Sequence, residues 1–128
     1  MILCDTNILI EIYRENVDII SILKNISQSD SIVISDVTKA EMLVGARNKH
    51  EMKTLIEELG RITSLPIQSQ ISSFAIKLLS HYYLSHGLDF HDALIAATAI
   101  SYNIELYTLN VKDFAFISNI KLYNPDKS

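Results

Sequence analysis

The 128-residue sequence has few of the residues that break a chain or cross-link it. It contains three glycines, two prolines and one cysteine, which excludes collagen-like repeats and long flexible linkers. The single cysteine, Cys4, cannot form a disulfide within the chain, and this indicates a reducing compartment. No apolar run approaches the roughly 20 residues of a membrane span, and the first residues lack the basic and apolar segments of a signal peptide. We therefore expect a cytoplasmic protein without membrane partners.

Positive charge is also scarce. The chain has 11 lysines and arginines against 15 aspartates and glutamates, for a formal net charge of −4. A domain that binds nucleic acid through bulk positive charge is normally basic, so this balance argues against a protein that coats DNA. It does not exclude an enzyme whose acidic residues bind metal ions. With 48% hydrophobic residues the chain can bury a core, and we predict a single domain over residues 1–128.

Short apolar runs of β type alternate with longer segments of helical periodicity. The strand candidates are residues 2–4, 31–35, 61–65, 105–109 and 121–123. Apolar residues at helical spacing occupy most of the segments between them, for example Ile71, Phe74, Leu78 and Tyr82. Strands that alternate with helices predict a parallel sheet covered on both faces. The expected fold is therefore α/β, a three-layer α/β/α domain around a central parallel sheet.

Four acidic residues follow the predicted strands, at the start of the next helix or loop: Asp5, Glu41, Asp92 and Asp113. The carboxyl ends of parallel strands collect functional groups, so these four should meet at one edge of the sheet. Each also has an ordinary structural alternative. Asp5 could cap the next helix, and Thr38-x-x-Glu41 has the form of a capping box. Asp92 suits a first helical turn, and Asp113 could be a solvated loop acid or another helix cap.

Carboxylates gathered at one edge repel one another unless cations lie among them. Hard divalent cations prefer oxygen ligands, and Mg²⁺ or Mn²⁺ suits such a cluster. The four histidines show no metal-ligand spacing, although His91 could approach a substrate because it adjoins Asp92. Acids without a cysteine or histidine ligand set predict metal-assisted phosphoryl chemistry. Four basic residues near the acids in sequence are candidates for phosphate contacts: Arg14, Lys39, Arg47 and Lys112.

Four stretches of the sequence match a known family in the family's own order. They are residues 3–10, 35–47, 89–99 and 107–114. The most specific signal is the run Asp92-Ala93-Leu94-Ile95-Ala96-Ala97-Thr98-Ala99 with Thr108-Leu109-Asn110-Val111-Lys112-Asp113-Phe114 behind it. On these stretches the sequence resembles the PIN-domain ribonucleases, and most closely the VapC-type toxins of toxin–antitoxin pairs.

The resemblance implies an acidic metal site that is also the catalytic site: Asp5, Glu41, Asp92 and Asp113. Some relatives have an aspartate where this chain has Asn110, so Asp113, Asn110 or both could complete the site. Asp89 is a further acid for the outer part of the site. Thr6, Asn7 and Thr108 are supporting candidates that could position a ligand beside Asp5, with turn and cap hydrogen bonding as the alternative.

The activity that the resemblance implies is Mg²⁺-dependent endoribonuclease cleavage, with Mn²⁺ as a substitute and a metal-activated water attacking the RNA phosphodiester. The implied biological role is that of a toxin held by a cognate VapB-like antitoxin, and the implied assembly is a homodimer. Apolar residues of segment 8–26 and of residues 42–44 could form the groove that receives an amphipathic antitoxin helix. Alternatively, the apolar residues complete the core or a homodimer interface.

Two other functions remain open on the sequence: a PIN-like protein-binding module without catalysis, and an RNA-processing nuclease outside any toxin–antitoxin pair. Two other α/β classes fit less well. A phosphotransfer receiver domain needs a lysine at a late strand end, and the chain has none there. A haloacid-type phosphatase needs Asp-x-Asp at the first strand, and the chain has Asp5-Thr6-Asn7.

Overall fold

The computed structural model describes residues 1–127 and contains the expected alternation of strands and helices. The strands are β1 (Ile2–Cys4), β2 (Ile32–Ser35), β3 (Thr63–Leu65) and β4 (Glu105–Tyr107). The helices are α1 (Thr6–Tyr13), α2 (Val17–Ser27), α3 (Asp36–Val44), α4 (Lys49–Leu59), α5 (Ser69–His86) and α6 (Phe90–Ser101). Short 3-10 turns follow at Val111–Asp113 and Pro125–Lys127.

The four strands form one parallel sheet in the order β3-β2-β1-β4. β1 lies at the centre, where Ile2 pairs with Ile32 on one side and with Glu105 on the other. Helices cover both faces, so the predicted three-layer α/β/α fold is confirmed. The predicted strand 121–123 is reduced to a single bridge between Leu122 and Leu106 at the outer edge of β4.

The alternation of side chains along the strands divides the core into two clusters. In β1, Leu3 packs into the cluster of α5 and α6, whereas the next residue, Cys4, packs into the cluster of α1, α2 and α4. Val33 and Ile34 of β2 divide in the same way. Burial raises the pKa of the Cys4 thiol to about 12, with a further contribution from the charge of Asp5, so this cysteine is an inert core residue.

Helix α6 packs closely against α5 because its inner face is built from alanine. Ala93, Ala96 and Ala97 are completely buried, and small side chains let neighbouring helices approach. From α5, Ile71 and Leu78 complete this core, as their spacing predicted. The consequence for the site is that the amino-terminal end of α6, with Asp92, is fixed beside the carboxyl ends of the strands.

Helix α3 begins two residues earlier than predicted, and this changes the roles of Thr38 and Glu41. Ser35 is the capping residue, and its hydroxyl accepts a hydrogen bond from the Val37 N–H. Thr38 is a buried residue inside the helix rather than its cap. The capping-box interpretation of Glu41 is therefore wrong, because the capping residue of α3 is Ser35 and not Thr38.

Within residues 1–127, no helix has the length and hydropathy required to cross a membrane.

Candidate active site

Asp5 and Thr108 lie side by side because their strands are paired. Cys4 of β1 is in register with Tyr107 of β4, so the residue that follows each strand falls at the same edge of the sheet. Both side chains are almost completely buried. The Thr108 hydroxyl donates to Asp5 Oδ2 at 2.9 Å, and the Thr6 N–H donates to Asp5 Oδ1 at 2.8 Å. Asp5 therefore caps α1 while its carboxylate is fixed at the strand ends.

Asn7 and Asn110 extend the hydrogen-bond network around Thr108. The Asn7 side-chain amide donates to Thr108 Oγ1 at 3.3 Å and to Asp5 Oδ2 at 3.4 Å. The Asn7 side-chain oxygen accepts the Leu109 N–H at 3.2 Å, and the Asn110 N–H donates to Thr108 Oγ1 at 3.0 Å. These bonds turn the chain away from the sheet after Tyr107, which is why β4 is shorter than its apolar run predicted. Asn110 thus contributes its backbone here, and its side chain is exposed.

Asp92 lies in the first turn of α6, and Asp89 caps that helix by accepting the Asp92 N–H at 2.8 Å. Burial raises the pKa of Asp92 to about 7, and the charges of Asp89, Asp5 and Asp113 act in the same direction. Such a value means that nearby negative charge and loss of water both disfavour the ionised carboxylate. Asp113 is exposed in the 3-10 turn after β4, yet it lies within electrostatic range of Asp92.

Glu41 projects from α3 and completes the set of acids that influence one another. Burial raises the pKa of Asp5, and the charge of Glu41 raises it further, while hydrogen bonds from Thr108 and Thr6 lower it. The carboxylate of Glu41 also contacts the ring of His91, from the start of α6, at 3.0 Å. The structure thus brings all four predicted acids into one electrostatically coupled group. Thr6 supports it through its N–H and through a hydroxyl that donates to Thr38 Oγ1 at 3.2 Å.

Little positive charge compensates these acids. Among the described residues 1–127, no lysine or arginine forms a salt bridge with any of the four. Two of the predicted phosphate-contacting residues are engaged elsewhere, since Arg14 pairs with Glu11 and Arg47 with Glu51. Lys39 and Lys112 form no salt bridge within the described part of the chain.

The donor chemistry of these residues suits a hard divalent cation. The donors are carboxylate oxygens, two of them are half-buried or buried with raised pKa, and a cation would offset their repulsion. The spacing is looser than that of a formed metal centre. Within residues 1–127, no three histidine, cysteine, aspartate or glutamate side chains lie close enough together to hold one ion as they stand.

The hydroxyl of Thr108 offers a direct test of how the Asp5 carboxylate is held. We expect Thr108→Val to lower the free energy of unfolding by about 1–3 kcal/mol, because the buried Asp5 carboxylate loses a hydrogen-bond donor. Urea unfolding at pH 7 with a chelator present measures the change. Thr54→Val is the matched control, since Thr54 is exposed and its hydroxyl donates only to the His50 carbonyl of its own helix. Equal losses in the two variants would contradict the assigned role of Thr108.

Comparison with known proteins places this chain in a family. The family model described as PIN domain matches residues 2–117. The chain belongs to the PIN-domain family. Ribonuclease VapC from Rickettsia bellii is 33% identical over 129 residues, covering 94% of this chain and 93% of that protein. Ribonuclease VapC19 from Mycobacterium tuberculosis is 29% identical over 123 residues, covering 94% of this chain and 98% of that protein.

Solved structures of PIN proteins agree with the fold of this PIN domain. A toxin–antitoxin complex from Klebsiella pneumoniae has a chain that is 30% identical, with a TM-score of 0.79 and coverage of 98% of each chain. VapBC2 from Rickettsia felis, bound to a DNA fragment from its promoter, has a TM-score of 0.82 at 25% identity and covers 97% of this chain and 98% of that one. The resemblance to VapC-type PIN proteins is thereby confirmed.

Proposed function

We propose that this PIN domain is a metal-dependent endoribonuclease that hydrolyses RNA phosphodiester bonds. The observation that carries the proposal is the meeting of Asp5, Glu41, Asp92 and Asp113 at one edge of the sheet, where the charge of Glu41 raises the pKa of Asp5 and the charges of Asp5 and Asp113 raise the pKa of Asp92. Such a cluster would repel an RNA phosphate unless a cation lay between them. The name ribonuclease, carried by the relatives from Rickettsia bellii and Mycobacterium tuberculosis, supports the same activity.

Asp5, Glu41, Asp92 and Asp113 would hold Mg²⁺, with Mn²⁺ as a substitute. When bound, the ion would neutralise the phosphate and lower the pKa of a water. The chain itself supplies orientation. Thr108 and the Thr6 N–H fix both oxygens of Asp5, and Asp89 fixes the first turn of α6 that carries Asp92. Asp113 is the fourth acid in this proposal because its charge acts on Asp92, whereas Asn110 is neutral and contributes a backbone N–H to Thr108.

The test of this activity is a cleavage assay on a mixed pool of single-stranded and structured RNA. We expect cleavage with Mg²⁺ or Mn²⁺, its loss in excess EDTA and its return when Mg²⁺ is restored, because the acids alone cannot accommodate a phosphate. Sequencing of the products should find 5′-phosphate ends. Cleavage that continues unchanged in EDTA would overturn the metal-dependent mechanism.

We further propose that the chain is the toxin of a VapBC-type pair and that a VapB-like antitoxin binds beside the acids. A groove of about 630 Å³ lies between α1, α3 and α4, with Ile10, Met42, Val44 and Leu55 among its lining residues and Glu41 at its edge. Val44 is 83% exposed, so its apolar surface is available to a partner. An arginine of the antitoxin could reach Glu41 from this groove as a charge-assisted hydrogen-bond donor.

The groove differs from the predicted one in its walls. Three α2 residues expected to form part of it are buried in the core instead: Ile19, Leu23 and Ile26. Ile8 of α1 is buried in the same way. For these residues the core alternative is correct. The role of the groove nevertheless fits the complexes among the structural neighbours, which are toxin–antitoxin assemblies. The homodimer stays a prediction, for which the exposed face of α5 with Ile76, Tyr83 and Leu84 offers apolar surface.

Two alternatives would be distinguished by the same experiments. A PIN-like binding module without catalysis would show no cleavage with any divalent ion. An RNA-processing nuclease outside a toxin–antitoxin pair would cleave RNA but would not be inhibited by the product of an adjacent small gene. Co-expression with that gene, followed by purification and a cleavage assay, separates the two cases.

A further inference from the structure

The ring of His91 joins α6 to α3 at the edge of the acidic cluster. His91 Nδ1 lies 3.0 Å from Glu41 Oε1, and the two residues are brought together only by the packing of the two helices. The His91 side chain is 24% exposed, whereas that of Glu41 is 46% exposed. The histidine is therefore the more buried partner of this contact.

The other ring nitrogen determines how this contact is made. His91 Nε2 is buried and has no hydrogen-bond partner within residues 1–127. Nδ1 is thus the ring nitrogen with an acceptor in reach, the Glu41 carboxylate at 3.0 Å. The contact engages Glu41 Oε1, while Glu41 Oε2 accepts no hydrogen bond from the described residues.

The acids of the cluster differ in how firmly they are held. Asp5 receives hydrogen bonds from Thr108, Asn7 and the Thr6 N–H, and its side chain is buried. Glu41 has a longer and more exposed side chain, and its polar contact within the described chain is the His91 ring at 3.0 Å. Ordering a free glutamate side chain when a ligand binds costs rotamer entropy. A partner that restricts the side chain beforehand reduces that cost when a ligand binds.

We propose that His91 is a positioning residue that donates from Nδ1 to Glu41 Oε1 and so presents Oε2 of Glu41 to a divalent cation. The proposal rests on the metal-dependent function proposed above. Hydrogen-bond partners behind metal-binding side chains commonly contribute 10–100-fold to metal affinity. In the opposite arrangement His91 withholds Glu41 from the ion, and substitution of His91 would then strengthen ion binding. That result is one outcome of the test.

The experiment measures Mn²⁺ affinity by electron paramagnetic resonance at a constant pH of 7.5, without RNA. His91→Asn keeps a donor near the position of Nδ1, whereas His91→Gln places its donor near the position of Nε2. We expect His91→Gln to weaken Mn²⁺ binding about 10–100-fold and His91→Asn to retain most of the affinity. In a Glu41→Gln background, His91→Gln should cause little further loss. His50→Ala, on the exposed face of α4, is the control and should leave the affinity unchanged.

Three results would overturn the proposal. One is equal Mn²⁺ affinity in the wild type, His91→Asn and His91→Gln, and another is tighter binding in His91→Gln, which would show that His91 withholds Glu41. Loss of affinity in both variants, with thermal unfolding unchanged, would show that Nδ1 is not the donor that matters. A wild-type protein that binds no Mn²⁺ would overturn the metal-dependent function as well, so the two failures are distinguishable.

Discussion

Asp92→Asn is expected to reduce RNA cleavage by about 10³-fold, because the loss of one carboxylate removes both a metal-binding group and charge from the site. Asparagine keeps nearly the same shape, and Asp92 is already held by the cap of α6, so the fold should be preserved. Cleavage rates under saturating Mg²⁺ measure the change, and circular dichroism verifies the fold. The result would support a chemical rather than a structural role for this acid.

The same substitution should stabilise the metal-free protein at alkaline pH. Burial and the charges of Asp89, Asp5 and Asp113 raise the pKa of Asp92 from 3.8 to about 7, so the folded state binds this proton more tightly than the unfolded state. Below about pH 4 the Asp92 carboxyl is protonated in both states and does not lower the free energy of unfolding. As the pH rises, ionisation of Asp92 lowers the free energy of unfolding progressively, and the full loss is reached above about pH 7. The difference in pKa corresponds to about 4 kcal/mol, which solvent screening of this half-exposed group reduces to about 1–2 kcal/mol.

Asp18→Asn is the matched control for both measurements. Asp18 also lies in the first turn of a helix, α2, but it is exposed, and its charge does not contribute to the raised pKa of Asp5 or of Asp92. We expect unchanged cleavage and a stability loss of at most about 0.3–1 kcal/mol, because only its interaction with the helix dipole is lost. If Asp92→Asn lost no activity, or if its gain in stability were as large at pH 4 as at pH 8, the acidic site would be wrongly assigned.

The closeness of Asp5 and Thr108 could be predicted because it follows from the alternation of strands and helices along the chain. Short apolar runs between helices indicate parallel strands, and parallel strands end at a common edge. The run Ile2–Cys4 ends at Asp5 and the run from Glu105 ends near Thr108, so their neighbourhood required no knowledge of side-chain packing. The Ala-rich pattern of residues 91–102 likewise predicted the helix that follows Asp92.

Contacts between helices distant in sequence could not be predicted in this way. Glu41 and His91 meet because α3 and α6 pack beside one another, and neither residue carries a local signal for the other. The Thr-x-x-Glu pattern even indicated a different role for Glu41, since it ignored the better cap, Ser35, which ends β2. Similarly, the apolar run from Glu105 to Leu109 predicted a longer strand than exists, because hydrogen bonds between Asn7, Thr108 and Leu109 turn the backbone.

The second large effect is expected from a substitution in the groove between α1, α3 and α4, and it concerns the affinity for the antitoxin. Val44→Asp is expected to weaken binding of the antitoxin by about 100-fold, because an apolar contact would be replaced by a charge that loses its water on binding. Val44 is 83% exposed in the free chain, so the fold should tolerate the substitution. Titration of the purified partner against a fixed amount of this PIN-domain protein, read by calorimetry and by inhibition of RNA cleavage, gives the affinity.

Val17→Asp is the matched control for the groove. Val17 is 75% exposed at the start of α2, and it does not line the groove. The same chemical change there should leave antitoxin affinity within about threefold of the wild type, since surface substitutions outside an interface have small effects. Both variants should cleave RNA normally when the antitoxin is absent, because neither residue belongs to the acidic cluster. Weakened binding in Val17→Asp alone would move the antitoxin site to α2, and unchanged binding in Val44→Asp would exclude the groove while leaving the nuclease assignment intact.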